Sequence, residues 1–316
     1  MIVCAAPNPS IDKLFIAGDV TVGAIHRPDR LIARAGGKGL NVARAAHTLG
    51  ADVIAVALLA GHAGRWIAEE LVEQGVKTET VWAEGETRSS LSVAAGGLMT
   101  EFYERGVAPG PVAWETFIAA VRATVRTEGG ASWLSISGSM PPHISADDGH
   151  LLVDAGHEAG ARVAVDQHDA TLEAALSGGP DLVKINQHEA ADLTGHADPQ
   201  DAARALRQRA IDGGADPQHA LAVVTLGAEG ALMLLPDGST VHGDLDVRAP
   251  YPTGSGDAFL AGLLSAEDAG QPWPDALAVA LGAACANAEA EGAGAFDAGR
   301  ARALAERARG RVVVTA

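Results

Sequence analysis

Cysteine, basic side chains and long apolar runs are all scarce in this chain, and each scarcity argues against a class of protein. Only Cys4 and Cys285 are present. They lie far apart in apolar surroundings, too few for a disulfide framework, which points to reduced thiols and a cytoplasmic location. Lys and Arg number 23 against 40 Asp and Glu, a formal net charge of −17. Nucleic-acid phosphates need a basic surface, so this balance argues against a nucleic-acid partner. Small anionic ligands are still permitted where local cations, helix N-termini or a metal ion hold them. No stretch of about 18 consecutive apolar residues exists, so no membrane span is expected. The N-terminal run Ile2-Val-Cys-Ala-Ala6 reads as a strand and not as a secretory signal. The histidines form no H-E-x-x-H motif and the cysteines no C-x-x-C pair, so a zinc site is not expected. A G-x-S-x-G nucleophile elbow is also missing.

What the chain does have is a regular alternation of short apolar strands and helical patterns. Strands are expected at 2–6, 52–59, 132–137, 162–166, 181–185, 221–226 and 312–314. Helices are expected at 41–49, 65–74, 114–126, 146–159, 202–211, 276–291 and 300–309, with shorter ones before 176 and near Glu189. That rhythm predicts an α/β fold: a three-layer, doubly wound, mainly parallel sheet covered by helices on both faces, in a single domain over residues 1–316. Two inserts, at about 13–34 and 87–104, break the rhythm with strand-like alternation, as in Ser90-Leu-Ser-Val-Ala94. Strands from two distant places can pair into a small sheet lying over the main domain, a lid that keeps water from a bound substrate. Uncovered strand edges and apolar residues such as Phe15 and Phe102 on such a lid invite pairing, so a homodimer through it is expected.

Two glycine clusters stand out. In Pro252-Thr-Gly-Ser-Gly-Asp257, Gly254 and Gly256 bracket Ser255, and a helix follows through Phe259, Leu260, Leu263 and Leu264. Such a turn aims free backbone N–H groups at one point, where the helix dipole also favours negative charge. A phosphate fits there, and Asp257 beside it can take the proton of an attacking hydroxyl. A plain helix-capping role for Asp257 is the competing reading. The second cluster, Ala35-Gly-Gly-Lys-Gly-Leu-Asn41, is neither a Walker A loop nor a dinucleotide fingerprint. It offers backbone that a ligand can approach closely, with Lys38 and Asn41 as polar arms.

Taken in order with Asn8-Pro-Ser-Ile-Asp12, Thr87-Arg88, Ser137-Gly-Ser-Met-Pro-Pro142, Lys184-Ile-Asn-Gln-His-Glu189 and Thr225-Leu-Gly-Ala-Glu-Gly230, these clusters resemble the ribokinase-like (PfkB) carbohydrate kinases from end to end. Several of the motifs are similar to those of the 1-phosphofructokinase and tagatose-6-phosphate kinase branch. The resemblance implies a kinase using ATP and Mg²⁺ on a sugar or sugar phosphate. It makes Asp257 the catalytic base and the amides of Gly254, Ser255 and Gly256 its anion hole. It assigns Asp12, Gly37, Lys38, Asn41, Arg88 and Ser139 to the sugar substrate, with Arg27 on the lid as a third cation for a sugar-borne phosphate. Thr225, Gly227 and Gly230 match the nucleotide loop, and Asn287 a residue near the adenine. Asn186 and Glu189 match a motif that orders Mg²⁺ through water, although their spacing of three also fits a helix capping box.

The chain departs from that pattern at four places. Tyr251 stands where Asp or Asn is usual, Ile185 where Pro is usual, and Ser90 where many relatives carry Asn. The run Asp166-Gln-His-Asp169 replaces a small Ser/Gly-containing segment. None touches the base or its amides, so the departures bear on which sugar is used. Fructose 1-phosphate is the expected acceptor, ahead of tagatose 6-phosphate and fructose 6-phosphate. An unphosphorylated sugar or nucleoside, or a non-catalytic binding protein of the same fold, are the rival readings.

Overall fold

The computed structural model describes residues 1–127, 129–247 and 249–316, without the side chains of residues 146 and 147. The chain opens with β1 (Ile2–Ala6), β2 (Ser10–Ile16), β3 (Arg30–Gly36), α1 (Lys38–Leu49), β4 (Val53–Ala60), α2 (Gly61–Glu73) and β5 (Lys77–Ala83). It continues with β6 (Arg88–Ala95), β7 (Leu98–Tyr103), α3 (Pro111–Val125), β8 (Trp133–Ser137), α4 (His150–Ala159), β9 (Arg162–Asp166) and α5 (Asp169–Leu176). Then follow β10 (Leu182–Asn186), α6 (Gln187–Thr194), α7 (Pro199–Asp212), β11 (Leu221–Thr225), β12 (Ala231–Leu234) and β13 (Thr240–Gly243). The chain closes with α8 (Ser255–Asp268), α9 (Trp273–Glu289), α10 (Ala298–Arg309) and β14 (Val313–Thr315).

Among the described residues a ten-stranded sheet runs in the order β14-β13-β12-β11-β10-β9-β8-β1-β4-β5. It is parallel from β11 across to β5 and antiparallel from β11 out to β14. β1 lies inside it and every residue of that strand is buried. Alternate side chains therefore need apolar cover on opposite faces. Ile2 and Cys4 pack with Leu40 of α1, Leu260 of α8 and Leu277 of α9, while Val3 and Ala5 pack with Phe117 of α3 and Leu152 of α4. Each fully buried Leu, Ile or Phe on these faces contributes about 1.5–3 kcal/mol. The doubly wound α/β fold expected from the alternation is the fold that forms.

A separate four-stranded sheet has the order β3-β2-β6-β7. It is built from the two inserts, with β2 antiparallel to β3 and parallel to β6. Its first strand begins at Ser10, so Asp12 is part of the small sheet, opposite Arg34 and Ser90, and not at the end of β1.

Other differences have local causes. The helix expected from 146 starts with a 3-10 turn over Ala146–Gly149 before α4 begins. β5 was not foreseen because it forms the sheet edge, where only Val81 of its seven residues is buried and no apolar run announces it. β12 and β13 are four residues each, too short for periodicity to show. No helix among the described residues is long and apolar enough to cross a membrane.

Candidate active site

A cleft of about 870 Å³ lies between the ends of the parallel strands and the small sheet. Two helix N-termini open on it, α1 at Lys38 and α8 at Ser255. α1 reaches it because Gly39 has no side chain: a Cβ there would come within 2.4 Å of the Ala5 carbonyl oxygen. α8 reaches it through Gly254, whose φ of 79° is left-handed and whose missing Cβ would sit 2.3 Å from that of Ala293. Any other residue at 254 meets both backbone strain and a clash.

The turn before α8 is closed by the Ser255 N–H donating to the Pro252 carbonyl at 3.1 Å. That corrects the expected cradle, because the Ser255 amide is already committed. The Gly254, Gly256 and Asp257 amides have no backbone partner among the described residues, and the residues that carry them line the cleft. Asp257 itself is 4% exposed, and its Oδ2 accepts a hydrogen bond from Asn41 Nδ2 at 2.9 Å. Desolvation pushes its carboxyl up to about 6, with Asp166 adding to the rise and Lys38, Asn41 and Lys184 opposing it. A carboxyl titrating there is ionised at neutral pH yet more basic than a surface aspartate, which suits proton abstraction.

Beside it lies an ion triad that sequence reading had not assembled. Asp166, at the end of β9, is 1% exposed and pairs with Lys184 Nζ at 2.6 Å and Lys38 Nζ at 3.3 Å. Burial alone would raise the Asp166 carboxyl, but Lys184 and then Lys38 outweigh it and hold it below the ordinary range. Lys38 is held protonated, chiefly by Asp166 and against its own desolvation. Lys184 Nζ lies beside the α8 turn, within 2.9 Å of where a Cβ on Gly256 would be. The signal was present in sequence: Asp166 ends the apolar run Val163-Ala-Val165, and Lys184 interrupts Leu182-Val-Lys-Ile185. Opposite charges in adjacent buried strands must pair.

Toward the small sheet, Asp12 Oδ2 accepts the Gly37 N–H at 3.2 Å, and Ser10 Oγ donates to its Oδ1. Burial raises the Asp12 carboxyl, opposed by those two hydrogen bonds and by Arg88 and Arg44. Arg88 donates Nε and Nη2 to the Asn8 carbonyl and Nη1 to the Glu104 carbonyl. Three of its five N–H bonds are thereby used and its plane is fixed, leaving two for a ligand. Ser139 Oγ accepts from Asn8 Nδ2 at 3.1 Å. All four of Asp12, Arg88, Ser139 and Asn8 line the cleft.

At the other end Thr225, Gly227 and Gly230 line the cleft with Leu245, Val247, Leu281 and Ala284, an apolar slot under a glycine turn. Asn186 and Glu189 line it as well and form the capping box: Asn186 Oδ1 accepts the His188 and Glu189 amides, each at 3.0 Å, and Glu189 Oε2 accepts the Asn186 amide at 3.3 Å. No group of three His, Cys, Asp or Glu among the described residues could enclose a metal ion. Hard oxygens at a cleft wall without a cage fit Mg²⁺ held mostly by water and ligand phosphates, with Glu189 as the available carboxylate.

Two expected site residues lie elsewhere. Arg27 is exposed on the loop between β2 and β3 and does not line the cleft, because nothing on its own chain draws the loop inward. Asn287 is wholly buried: its Nδ2 donates to the Thr253 carbonyl at 3.0 Å and Ser255 Oγ at 3.2 Å, and its Oδ1 accepts the Gly294 amide at 2.7 Å. It braces the glycine turn from behind and touches no space that an adenine could fill. Cys285 and Ala288, on the same helix, face the cleft.

A two-helix-terminus cleft at the ends of parallel strands, with a buried carboxylate at its centre, is the architecture of a phosphotransferase. The chain belongs to the pfkB family of carbohydrate kinases, whose sequence model matches residues 8–298. It is accordingly a transferase that phosphorylates an alcohol group, and membership implies ATP as the donor. It is 30% identical over 283 residues to a 1-phosphofructokinase of Haloferax volcanii, covering 88% of this chain and 87% of that one. Among solved structures it resembles phosphofructokinase-2 of Escherichia coli in complex with potassium, at 26% identity and a TM-score of 0.87, covering 98% of this chain and 99% of that one. The ribokinase of Arabidopsis thaliana complexed with ribose and ATP shares the fold, at 17% identity and a TM-score of 0.73 over 96% and 98% of the two chains.

Proposed function

We propose that the chain transfers the γ-phosphoryl group of ATP to a primary hydroxyl of a phosphohexose, with fructose 1-phosphate as the first choice. The observation that carries this reading is the meeting, in one cleft, of the buried Asp257 carboxylate, the unpaired α8 amides and the cations Lys38 and Arg88. Asp12 accepts hydrogen bonds from sugar hydroxyls and sets the ring's orientation. Arg88, Lys38 and Ser139 hold the phosphate already on the sugar, Arg88 by its two remaining N–H donors.

The acceptor hydroxyl loses its proton to Asp257 as its oxygen bonds to the γ-phosphorus. The bond from that phosphorus to the β–γ bridging oxygen breaks, and ADP carries the electron pair away. The Gly254, Gly256 and Asp257 amides and the α8 dipole stabilise the charge on the transferred group. Thr225, Gly227 and Gly230 line the nucleotide end, and Asn287 acts through the turn it braces. Glu189, positioned by Asn186, would hold Mg²⁺ through water, and the ion would supply charge neutralisation at the phosphates. The small sheet acts as a lid over the sugar. Its exposed Leu31, Leu98 and Phe102 share the face turned away from the cleft with the half-buried Phe15, and support a homodimer formed through it.

Coupled ADP-release assays across fructose 1-phosphate, tagatose 6-phosphate, fructose 6-phosphate, fructose, ribose and adenosine test the assignment. Turnover highest on fructose 1-phosphate is the expected result. Turnover on an unphosphorylated sugar or nucleoside with none on any sugar phosphate would remove the phosphohexose reading.

A further inference from the structure

Arg44 lies two turns into α1, away from the mouth of the cleft, and is 4% exposed. A buried guanidinium is costly unless its N–H bonds are used. Here Nε donates to Gln74 Oε1 at 2.7 Å, Nη2 to the Ala35 carbonyl, and Nη1 to both the Ala293 carbonyl at 3.0 Å and Asn41 Oδ1 at 3.2 Å. The last contact matters for the chemistry. Asn41 sits between a group that can only donate, Arg44, and a group that when ionised can only accept, Asp257. Its carboxamide therefore has one allowed orientation, oxygen toward Arg44 and NH₂ toward Asp257.

The geometry points to Arg44 as a positioning residue for phosphoryl transfer, acting through Asn41 to reserve Oδ2 of Asp257 and leave Oδ1 as the atom that takes the substrate proton. This rests on the proposed role of Asp257 as base. Three observations support it beyond simple packing. Asp257 Oδ1 accepts no hydrogen bond from the described residues, while Oδ2 has its donor. The Ala293 carbonyl that Arg44 holds belongs to the residue packed against Gly254, so one guanidinium fixes both the base's partner and the glycine turn. The Ala35 carbonyl, which Arg44 also holds, belongs to the last residue but one of β3, just before α1 and where the small sheet joins the main sheet.

If Arg44 loses its directed donors, Asn41 Oδ1 is orphaned and the carboxamide is free to rotate. Its oxygen can then turn to accept from protonated Asp257, a contact closed to it while Arg44 holds that oxygen, so the protonated form gains and ionisation becomes harder. The charged groups around Asp257 are Lys38 on α1, Asp166 on β9 and Lys184 on β10. Those around Arg44 are Glu70 on α2, Arg34 on β3 and Asp12 on β2, besides Asp257. Arg44→Lys keeps the charge and Asn41→Ser is neutral for neutral, so in these two variants a shift in the acidic limb of the kcat–pH profile reads the Arg44–Asn41–Asp257 chain; Gln74→Leu, by contrast, also breaks the bond from Gln74 Nε2 to Glu70 Oε1 at 2.6 Å.

The test compares Arg44→Lys, Asn41→Ser, their combination, Gln74→Leu and Asp257→Asn in the full chain. Lysine keeps the charge but, as a single point donor, cannot hold two backbone carbonyls and two carboxamide oxygens together. Expected for Arg44→Lys is about a tenfold or larger fall in kcat, the size of a modest misplacement of a catalytic group. Its acidic limb should move up in pH while KM for ATP stays within about twofold, since a positioning defect acts on the reacting geometry. Asn41→Ser should move the limb the same way, and the double variant no further than either alone, because both break one chain. Gln74→Leu removes a different Arg44 partner, and should lower thermal stability without moving the limb. An unmoved limb in Arg44→Lys, or in Asn41→Ser should the lysine variant fail to fold, overturns the inference. So does an additive double variant. Asp257→Asn separates the two claims: if it retains activity the base assignment is wrong, whereas an inactive Asp257→Asn beside an unaltered Arg44→Lys removes only the positioning role.

Discussion

Asp257→Asn should do two opposite things, destroy catalysis and stabilise the fold. The carboxyl is buried at the N-terminus of α8 and its titration point is raised from an ordinary 3.8 to about 6. A folded state that holds a proton more tightly than the unfolded chain loses stability as pH climbs through the window between the two values. Below about 4 both states are protonated and there is no penalty; above about 6 the penalty is complete. The shift is roughly 2 units, and at about 1.4 kcal/mol per unit the ceiling is about 3 kcal/mol. Asparagine has nearly the same shape, accepts the same hydrogen bond from Asn41 and never ionises. The variant should therefore exceed the wild type by about 1–3 kcal/mol in urea denaturation at pH 8, the gain shrinking to nothing near pH 4. Over the same range kcat should fall by about 10²–10⁴, the usual loss on removing a general base. A variant no more stable than wild type at pH 8, or a gain that persists undiminished at pH 4, would refute the claim that ionised Asp257 strains the fold.

Asp166→Asn should act in the opposite sense on stability. It leaves Lys184, 4% exposed, as a buried ammonium without a counter-ion, at a cost of about 3–5 kcal/mol. Adding Lys184→Met should recover much of that loss, and urea midpoints for the single and double variants check it; a double variant as weak as Asp166→Asn contradicts the argument. Because the Asp166 carboxyl is held below its ordinary value, its contribution is present above about 3.9 and lost as pH falls through the lower folded value. The variant should lack that acid-limb component. For the proposed lid dimer, sedimentation at micromolar concentration should show a dimer that Phe102→Glu dissociates, since Phe102 is 60% exposed on the edge strand β7. A wild-type monomer at that concentration would remove the dimer.

The layered fold was legible because a strand buried on both faces must be apolar throughout, and β1, β9 and β11 stand out for that reason. The glycine turns were legible for a different reason: where backbone must approach within the reach of a missing Cβ, as at Gly39 and Gly254, only one residue type serves. What escaped was whatever depends on partners distant in sequence. Asn287 reads as a polar residue on an apolar helix, and nothing local says that its amide turns inward to Thr253 and Gly294 instead of toward a ligand. Arg27 reads as a candidate cation, but an exposed loop carries no pattern that fixes which way it faces. Arg44 lies three residues past Asn41 in a helix whose periodicity would place it on the buried side, and only the contacts show what it is buried against.

The same contacts bear on how a chain with a net charge of −17 would hold the two phosphate-bearing ligands proposed for it. A free cluster of lysines would attract phosphate strongly, but the side chains would have to be ordered at the moment of binding. Here the ordering is done beforehand: Lys38 and Lys184 are anchored on Asp166, and Arg88 on the Asn8 and Glu104 carbonyls. Each anchor removes part of the field that the cation offers, which argues that binding draws on aimed donors more than on net charge. The neutral amides at the N-terminus of α8 fit that division. They contribute dipole without attracting counter-ions, and they sit against a base whose proton affinity any additional free cation nearby would lower. A cleft with more positive charge would bind ATP more tightly and abstract the sugar's proton less well.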